Sequence, residues 1–243
     1  MLLSDLTMPG FEEALERTRV AILPVGSVEE HGRHLPLATD TWQVCESARR
    51  AAALAPAIVC PPLHYGYCRS TRDHPGTVSI SPDSLRAVVV DIGAGLHRQG
   101  IRGLIIASGH AGGIHMAALE EAGERLVELC EPLEVAVVCE YRLAQEVGAT
   151  GLVKTADDGH AGEIETSRIQ ALRPELVRGT SPAEVPTLPR PFIARDKRAD
   201  WPGGVWGDPG PATAATGEAL FEATAGRLAE LVREMQRRIA AGG

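Results

Sequence analysis

Short, unbroken apolar runs alternate along the chain with longer segments whose apolar residues recur every three or four positions. Residues 20–27, 57–61, 103–108 and 135–140 read as strands buried on both faces. Residues 77–80 are a weaker strand candidate. Between the runs lie helical patterns. Residues 40–54 are rich in Ala and Arg. Ser81-Pro82-Asp83 supplies an N-cap, a proline at the first helical position and an acid in the first turn, opening a helix that runs to about Arg98. Residues 114–130 form another helix with an acidic outer face, and a last helix is expected over about 213–239. The order β-α-β-α-β-α-β predicts an α/β protein of three layers, α/β/α, with a mostly parallel sheet. One domain spanning 1–243 is the simplest reading. Residues 174–211 make a long loop rich in proline and glycine, expected to serve function or subunit contact.

Composition narrows the classes. With 243 residues and 44% apolar content, the chain can bury a proper core and does not resemble a disordered one. A net charge of −8 argues against a nucleic-acid polymer as partner, because phosphates demand a basic face. Nothing supports binding to an anionic membrane, and no signal peptide or spanning segment is expected. Five cysteines, Cys45, Cys60, Cys68, Cys130 and Cys139, are odd in number and form no CxxC pair. A reduced, cytoplasmic protein fits them, with the cysteines acting as small buried hydrophobes.

Three segments carry candidate chemistry. The first, Glu29-Glu30-His31-Gly32-Arg33-His34 through Asp40, follows the first apolar run. In extended chain Glu29 and His31 point to the same side, and Asp40 falls in the first turn of the next helix. The second, Ser108-Gly109-His110-Ala111-Gly112-Gly113, follows the third run, where open parallel sheets place their sites. Its glycines allow close backbone approach, and N–H groups near Gly112 are available to a developing oxyanion. A phosphate-binding turn with an incidental His110 is the competing reading. The third, Gly159-His160-Ala161-Gly162-Glu163-Ile164-Glu165, precedes an apolar helix. In regular helix His160 and Glu163 would share a face and Glu165 would not; otherwise the helix starts between them, or the acids simply complement its dipole. Carboxylates and imidazoles after three separate runs suggest a dinuclear metal site.

The stretch from Pro24 to Asp40 resembles the opening motif of the creatininase family of metal-dependent amidohydrolases. Segments 108–113 and 160–167 resemble its histidine loop and third motif, and 74–80 and 204–209 also look like family segments. The resemblance implies a homo-oligomer with two divalent ions, Zn, Mn or Fe, acting on a small-molecule substrate. Carried over by motif, Glu29, Asp40 and His110 would hold one ion, and His31, Asp40 and Glu165 the other. His160 falls on the family's catalytic histidine. Departures limit the substrate: Gly112 stands where true creatininases have a catalytic glutamate, and Ala156 where they have a tryptophan. Creatinine is therefore not the expected substrate. The expected reaction is hydrolysis of another C–N bond, in an amide, a formamide on a pyrimidine nucleotide, or a small peptide such as a cofactor precursor. Arg69 or Arg72 is a candidate clamp for a substrate carboxylate or phosphate. A catalytically silent subunit, binding metal or nucleotide, is the alternative of another class.

Overall fold

The computed structural model describes residues 1–189 and 191–242. In chain order the elements are α1 (Met8–Arg17), β1 (Val20–Val25), α2 (Thr39–Leu54), β2 (Ile58–Val59), α3 (Pro82–Arg98), β3 (Gly103–Ser108), α4 (Gly113–Leu129), β4 (Glu134–Cys139), α5 (Glu140–Val147), α6 (Glu163–Leu172), α7 (Lys197–Asp200) and α8 (Ala214–Gly242). The four strands form one all-parallel sheet in the order β2-β1-β3-β4.

Strand side chains alternate between the two faces, as their period of two requires. Ala21, Leu23 and Val25 of β1 join Leu104 and Ile106 of β3 in a core completed by Leu85 and Val89 of α3 and Leu119 and Leu126 of α4. Val20, Ile22, Ile105 and Ala107 face the other way, onto Val44 and Ala48 of α2 and Leu228 and Val232 of α8. The three-layer α/β architecture is thus the one expected, and Ser81 caps α3 by accepting the Ser84 N–H at 3.0 Å. No helix among the described residues is long and apolar enough to cross a membrane. The five cysteines are free.

Several expectations change. β2 contracts to two residues. Residues 77–80 form no strand; Val78 makes one antiparallel bridge to Val28. α1 and α5 were not anticipated.

Two glycines bring the strand ends against the start of α2. A Cβ on Gly26 would lie 2.1 Å from Thr41 Oγ1, and one on Gly109 would lie 2.1 Å from the Asp40 carbonyl oxygen. Only glycine permits this approach. The first turn of α2 is thereby set beyond the carboxyl ends of β1 and β3, with Asp40 between them. Gly109 therefore serves helix packing rather than the ligand approach expected of its loop.

Candidate metal centre

Glu29 and His31 come from the loop after β1, Asp40 from the first turn of α2, His110 from the loop after β3 and Glu165 from the first turn of α6. All five are buried, and they converge. Asp40 spans the group: its Oδ1 lies 3.1 Å from His31 Nε2 and its Oδ2 lies 3.1 Å from His110 Nδ1. Glu165 Oε1 is 3.5 Å from His31 Nε2, and Glu29 Oε2 is 2.8 Å from His110 Nδ1.

Each histidine has one nitrogen tied to backbone. His31 Nδ1 donates to the Glu29 carbonyl at 3.1 Å, and His110 Nε2 donates to the Tyr67 carbonyl at 3.2 Å. That leaves His31 Nε2 and His110 Nδ1 facing carboxylate oxygens. A bare lone pair opposed to a carboxylate is repulsive, so a cation or a proton belongs between them. Second-sphere carbonyls commonly fix metal-ligating histidines in this way.

The electrostatics agree. Three carboxylates buried beside two imidazoles leave an anionic excess in a low dielectric, which demands compensation. Burial opposes ionisation of Glu29, yet the His110 charge and hydrogen bond hold its carboxyl down at about 2. Asp40 is likewise held well below the usual range, against burial, by His31 and His110. Burial disfavours charge on the imidazoles, but Glu165 and Asp40 raise His31 well above its ordinary value, and Glu29 and Asp40 do so for His110. A pocket that pulls protons onto imidazoles so strongly also attracts metal cations. Its oxygen and nitrogen donors suit a divalent ion.

The surrounding residues hold the five in place. Ser27 Oγ donates to Asp40 Oδ2 at 2.6 Å, and Thr71 donates to Glu29. Gln43 Nε2 and the Ala161 N–H donate to the two oxygens of Glu165, at 3.1 and 2.6 Å. His115 is buried; burial and its neighbour His110 hold it down at about 3. Its Nδ1 accepts the Tyr67 N–H at 3.2 Å, steadying the peptide whose carbonyl grips His110. His34 reaches Thr166 Oγ1 at 2.8 Å and Ser181 Oγ at 2.9 Å, so it braces α6.

The helix question in the third segment is resolved. α6 begins at Glu163, and His160 lies before it, paired with Trp206 in an isolated bridge. Glu163 turns away: its Oε2 accepts the N–H groups of Lys154 and Thr155, at 2.9 and 2.7 Å. His160 stacks beside His31 with ring centroids 4.3 Å apart. Its Nε2 donates to the Glu30 carbonyl at 2.8 Å and lies 3.4 Å from Glu30 Oε1, an oxygen with no hydrogen-bond partner. Burial and His31 disfavour a charged His160, but the Glu30 hydrogen bond and the Glu29 and Glu30 carboxylates prevail and raise its pKa.

The centre opens into a cavity of about 510 Å³, bounded by Glu29, Asp40, His110, Gly112, His160 and Glu165 and by the apolar faces of Tyr141, Leu188, Trp201 and Trp206. Trp206 thus lines the cavity. Ala156 is exposed, yet aromatic walls exist, supplied by the 174–211 loop.

Arg69 and Arg72 are exposed and line no part of this cavity. Arg72 Nε sits 3.3 Å from Asp73. Arg69 borders an adjoining cleft of about 630 Å³, which shares Ser70 and Leu188 with the cavity. Sequence reasoning missed Gln43, Thr71, Cys68 and Trp201. Gln43 lies three residues beyond Asp40 on a helix, a spacing that shares a face. Cys68 is buried as expected, but its sulfur lies within 4.8 Å of ligand atoms on Glu29 and His110. Nothing in the pattern of the 68–71 loop signals either of its residues.

Comparison with known proteins identifies the family. The family model described as "Creatininase: Creatinine amidohydrolase" matches residues 4–232. The chain belongs to the creatininase family. It is 30% identical over 229 residues to the mycofactocin precursor peptide peptidase of Mycolicibacterium smegmatis, covering 89% of this chain and 85% of that protein. It is 28% identical over 272 residues to the 3-dehydro-scyllo-inosose hydrolase of Thermotoga maritima, covering 98% and 84%. Among solved structures, a Zn-Zn type creatininase variant superposes with a TM-score of 0.83 at 26% identity, covering 96% of this chain and 97% of that one. These family members are hydrolases whose names point to different substrates, so membership establishes the enzyme class and leaves the substrate to the site.

Proposed function

We propose that the protein is a dinuclear-metal-dependent amidohydrolase that cleaves a C–N bond other than creatinine's. The observation that carries this reading is the position of Asp40, whose two oxygens face the free nitrogens of His31 and His110, each at 3.1 Å. Glu29, Asp40 and His110 would hold one divalent ion, and His31, Asp40 and Glu165 the second. Such ions supply Lewis acidity and lower the pKa of water towards neutrality.

The chain's own residues do the rest. His160 is the proton donor to the leaving nitrogen. Its Nε2 is occupied by Glu30, so Nδ1 is the atom left for the substrate, and the Glu30 and Glu29 carboxylates favour the protonated ring. The N–H groups at Gly112, where α4 starts without a side-chain cap, are available to a developing oxyanion. Trp201, Trp206 and Tyr141 exclude water from the cavity walls.

The substrate is an amide, formamide or small peptide. Position 112 offers no carboxylate, and a Cβ there would lie 2.5 Å from His110 Nε2, so this loop is built without the glutamate expected for creatinine. The cleft beside the cavity favours an extended substrate, such as a short peptide, over a compact cyclic amide. Arg69, on that cleft, would meet an anionic end of such a substrate; Arg72 would reach it only by leaving Asp73. Phe192 and Ile193, 79% and 70% exposed, line that cleft and would give such a substrate an apolar wall; a homo-oligomer is also part of this reading.

A screen of the metal-reconstituted protein over formamides, cyclic amides and short peptides tests the proposal. Turnover of one class, abolished by a chelator and restored by metal, is expected. Turnover that survives complete metal removal would refute it.

A further inference from the structure

Behind Glu165 lies a buried polar cluster that the proposed chemistry does not use. Arg168, on α6 three residues beyond Glu165, is fully buried. Its guanidinium pairs with Glu140 at the start of α5, donating to Oε1 and, at 3.2 Å, to Oε2. It also donates to Ser47 Oγ at 2.8 Å and to Gln43 Oε1 at 3.0 Å, and it lies 4.4 Å from the Phe221 ring centre. Ser47 Oγ donates in turn to Glu140 at 2.6 Å. Gln43 Nε2 then donates to Glu165 Oε1 at 3.1 Å.

The chemistry of these groups leaves one orientation for the amide. A guanidinium carries only donors and a carboxylate only acceptors. Gln43 must therefore show its oxygen to Arg168 and its nitrogen to Glu165. A flipped amide would set donor against donor and oxygen against carboxylate. A buried ion pair is a poor source of stability compared with apolar packing, and Arg168 Nε is left without a partner. A cluster of this kind is explained by what it orients.

We propose that Gln43, locked by the Arg168–Glu140 pair, is a positioning residue that fixes Glu165 for the cation on the His31 side of the centre. Gln43 holds one lone pair of Oε1, and the Ala161 N–H holds Oε2, so the carboxylate cannot rotate away from His31. This inference rests on the dinuclear reading above. It adds that the two ion positions are supported unequally, because among the described residues the buried Arg168–Glu140 pair lies behind the His31 side.

The test is calorimetric titration of the metal-free protein with Zn²⁺. His31→Ala and His110→Ala identify the two binding steps, since each removes one. Gln43→Met keeps volume but removes both hydrogen bonds. It is expected to weaken the His31-side step at least tenfold, the usual loss for an outer-sphere partner, and to leave the His110-side step within threefold. Should Gln43→Met fail to fold, Arg168→Lys, which keeps the charge but offers one nitrogen where Nη1 and Nη2 now share Gln43, Ser47 and Glu140, is expected to weaken the same step. A Gln43→Met isotherm matching the unaltered protein, or equal weakening of both steps, would overturn the positioning role alone. Absence of any Zn²⁺ uptake by the unaltered protein would overturn the dinuclear reading and this inference with it.

Discussion

At the residue scale, spacing marked Glu29, His31, Asp40 and His110 as candidates after apolar runs, and the family resemblance supplied the full ligand set with Glu165. Glu29 and His31, two apart, converge as extended chain predicts, and Asp40 occupies the first turn of α2. Spacing alone could not choose between Glu163 and Glu165; the family resemblance assigned Glu165. The choice depends on where α6 begins, and that is decided by Asp158, whose Oδ1 and Oδ2 accept the N–H groups of Glu163 and Ile164 at 3.0 and 2.7 Å. The site also needs a left-handed glycine that no pattern announced. Gly204, at φ 62°, lets Glu30 pass where a Cβ would sit 2.0 Å from its Oε2. Glu30 in turn holds His160. The proton-donor assignment makes a clear prediction here. His160→Ala should lower kcat by about 10²-fold or more, as loss of a general acid does, while metal content stays intact. Unchanged turnover would remove His160 from the chemistry.

Elements were read unevenly, for physical reasons. β3 matches its apolar run to the residue because turn-forming glycines bound it on both sides. β2 is shorter than its run because Pro61 and Pro62 lack the N–H groups that would continue the ladder. α5 was missed because it starts at the residue after β4 with no glycine or proline between. α6 is the element on which the site most depends: it carries Glu165 and Arg168, and it docks through Asp158. Burial pushes the Asp158 carboxyl up to about 7, against the Ile164 and Glu163 N–H groups that favour its anion. Asp158→Ala would leave those two N–H groups without their acceptor. It should destabilise the fold by about 1–2 kcal/mol, seen as a melting temperature lower by several degrees. An unchanged melting curve would show that α6 is held by its apolar contacts alone.

For the whole molecule, composition and order of elements were enough to foresee a three-layer α/β protein. They could not foresee how the loops close over the sheet, because the 174–211 loop acts through individual residues such as Trp201 and Trp206. The molecule concentrates negative charge at the carboxyl ends of β1 and β3, and that gives a pH dependence. In the metal-free protein the flanking carboxylates raise the pKa values of His31 and His110 well above the ordinary imidazole value, against burial, and so favour their protonated forms. Metal uptake must displace those protons, so affinity falls as pH falls. Titration should show tighter binding at pH 8 than at pH 6, with proton release near neutrality; pH-independent uptake without proton release would place the ions elsewhere. The most direct test of the account is elemental analysis of the reconstituted protein beside Asp40→Ala. Two ions per chain in the unaltered protein and almost none in the variant are predicted, because in the proposed centre Asp40 would help to hold both ions. Full occupancy in the variant, or a single ion in the unaltered protein, would contradict the dinuclear centre.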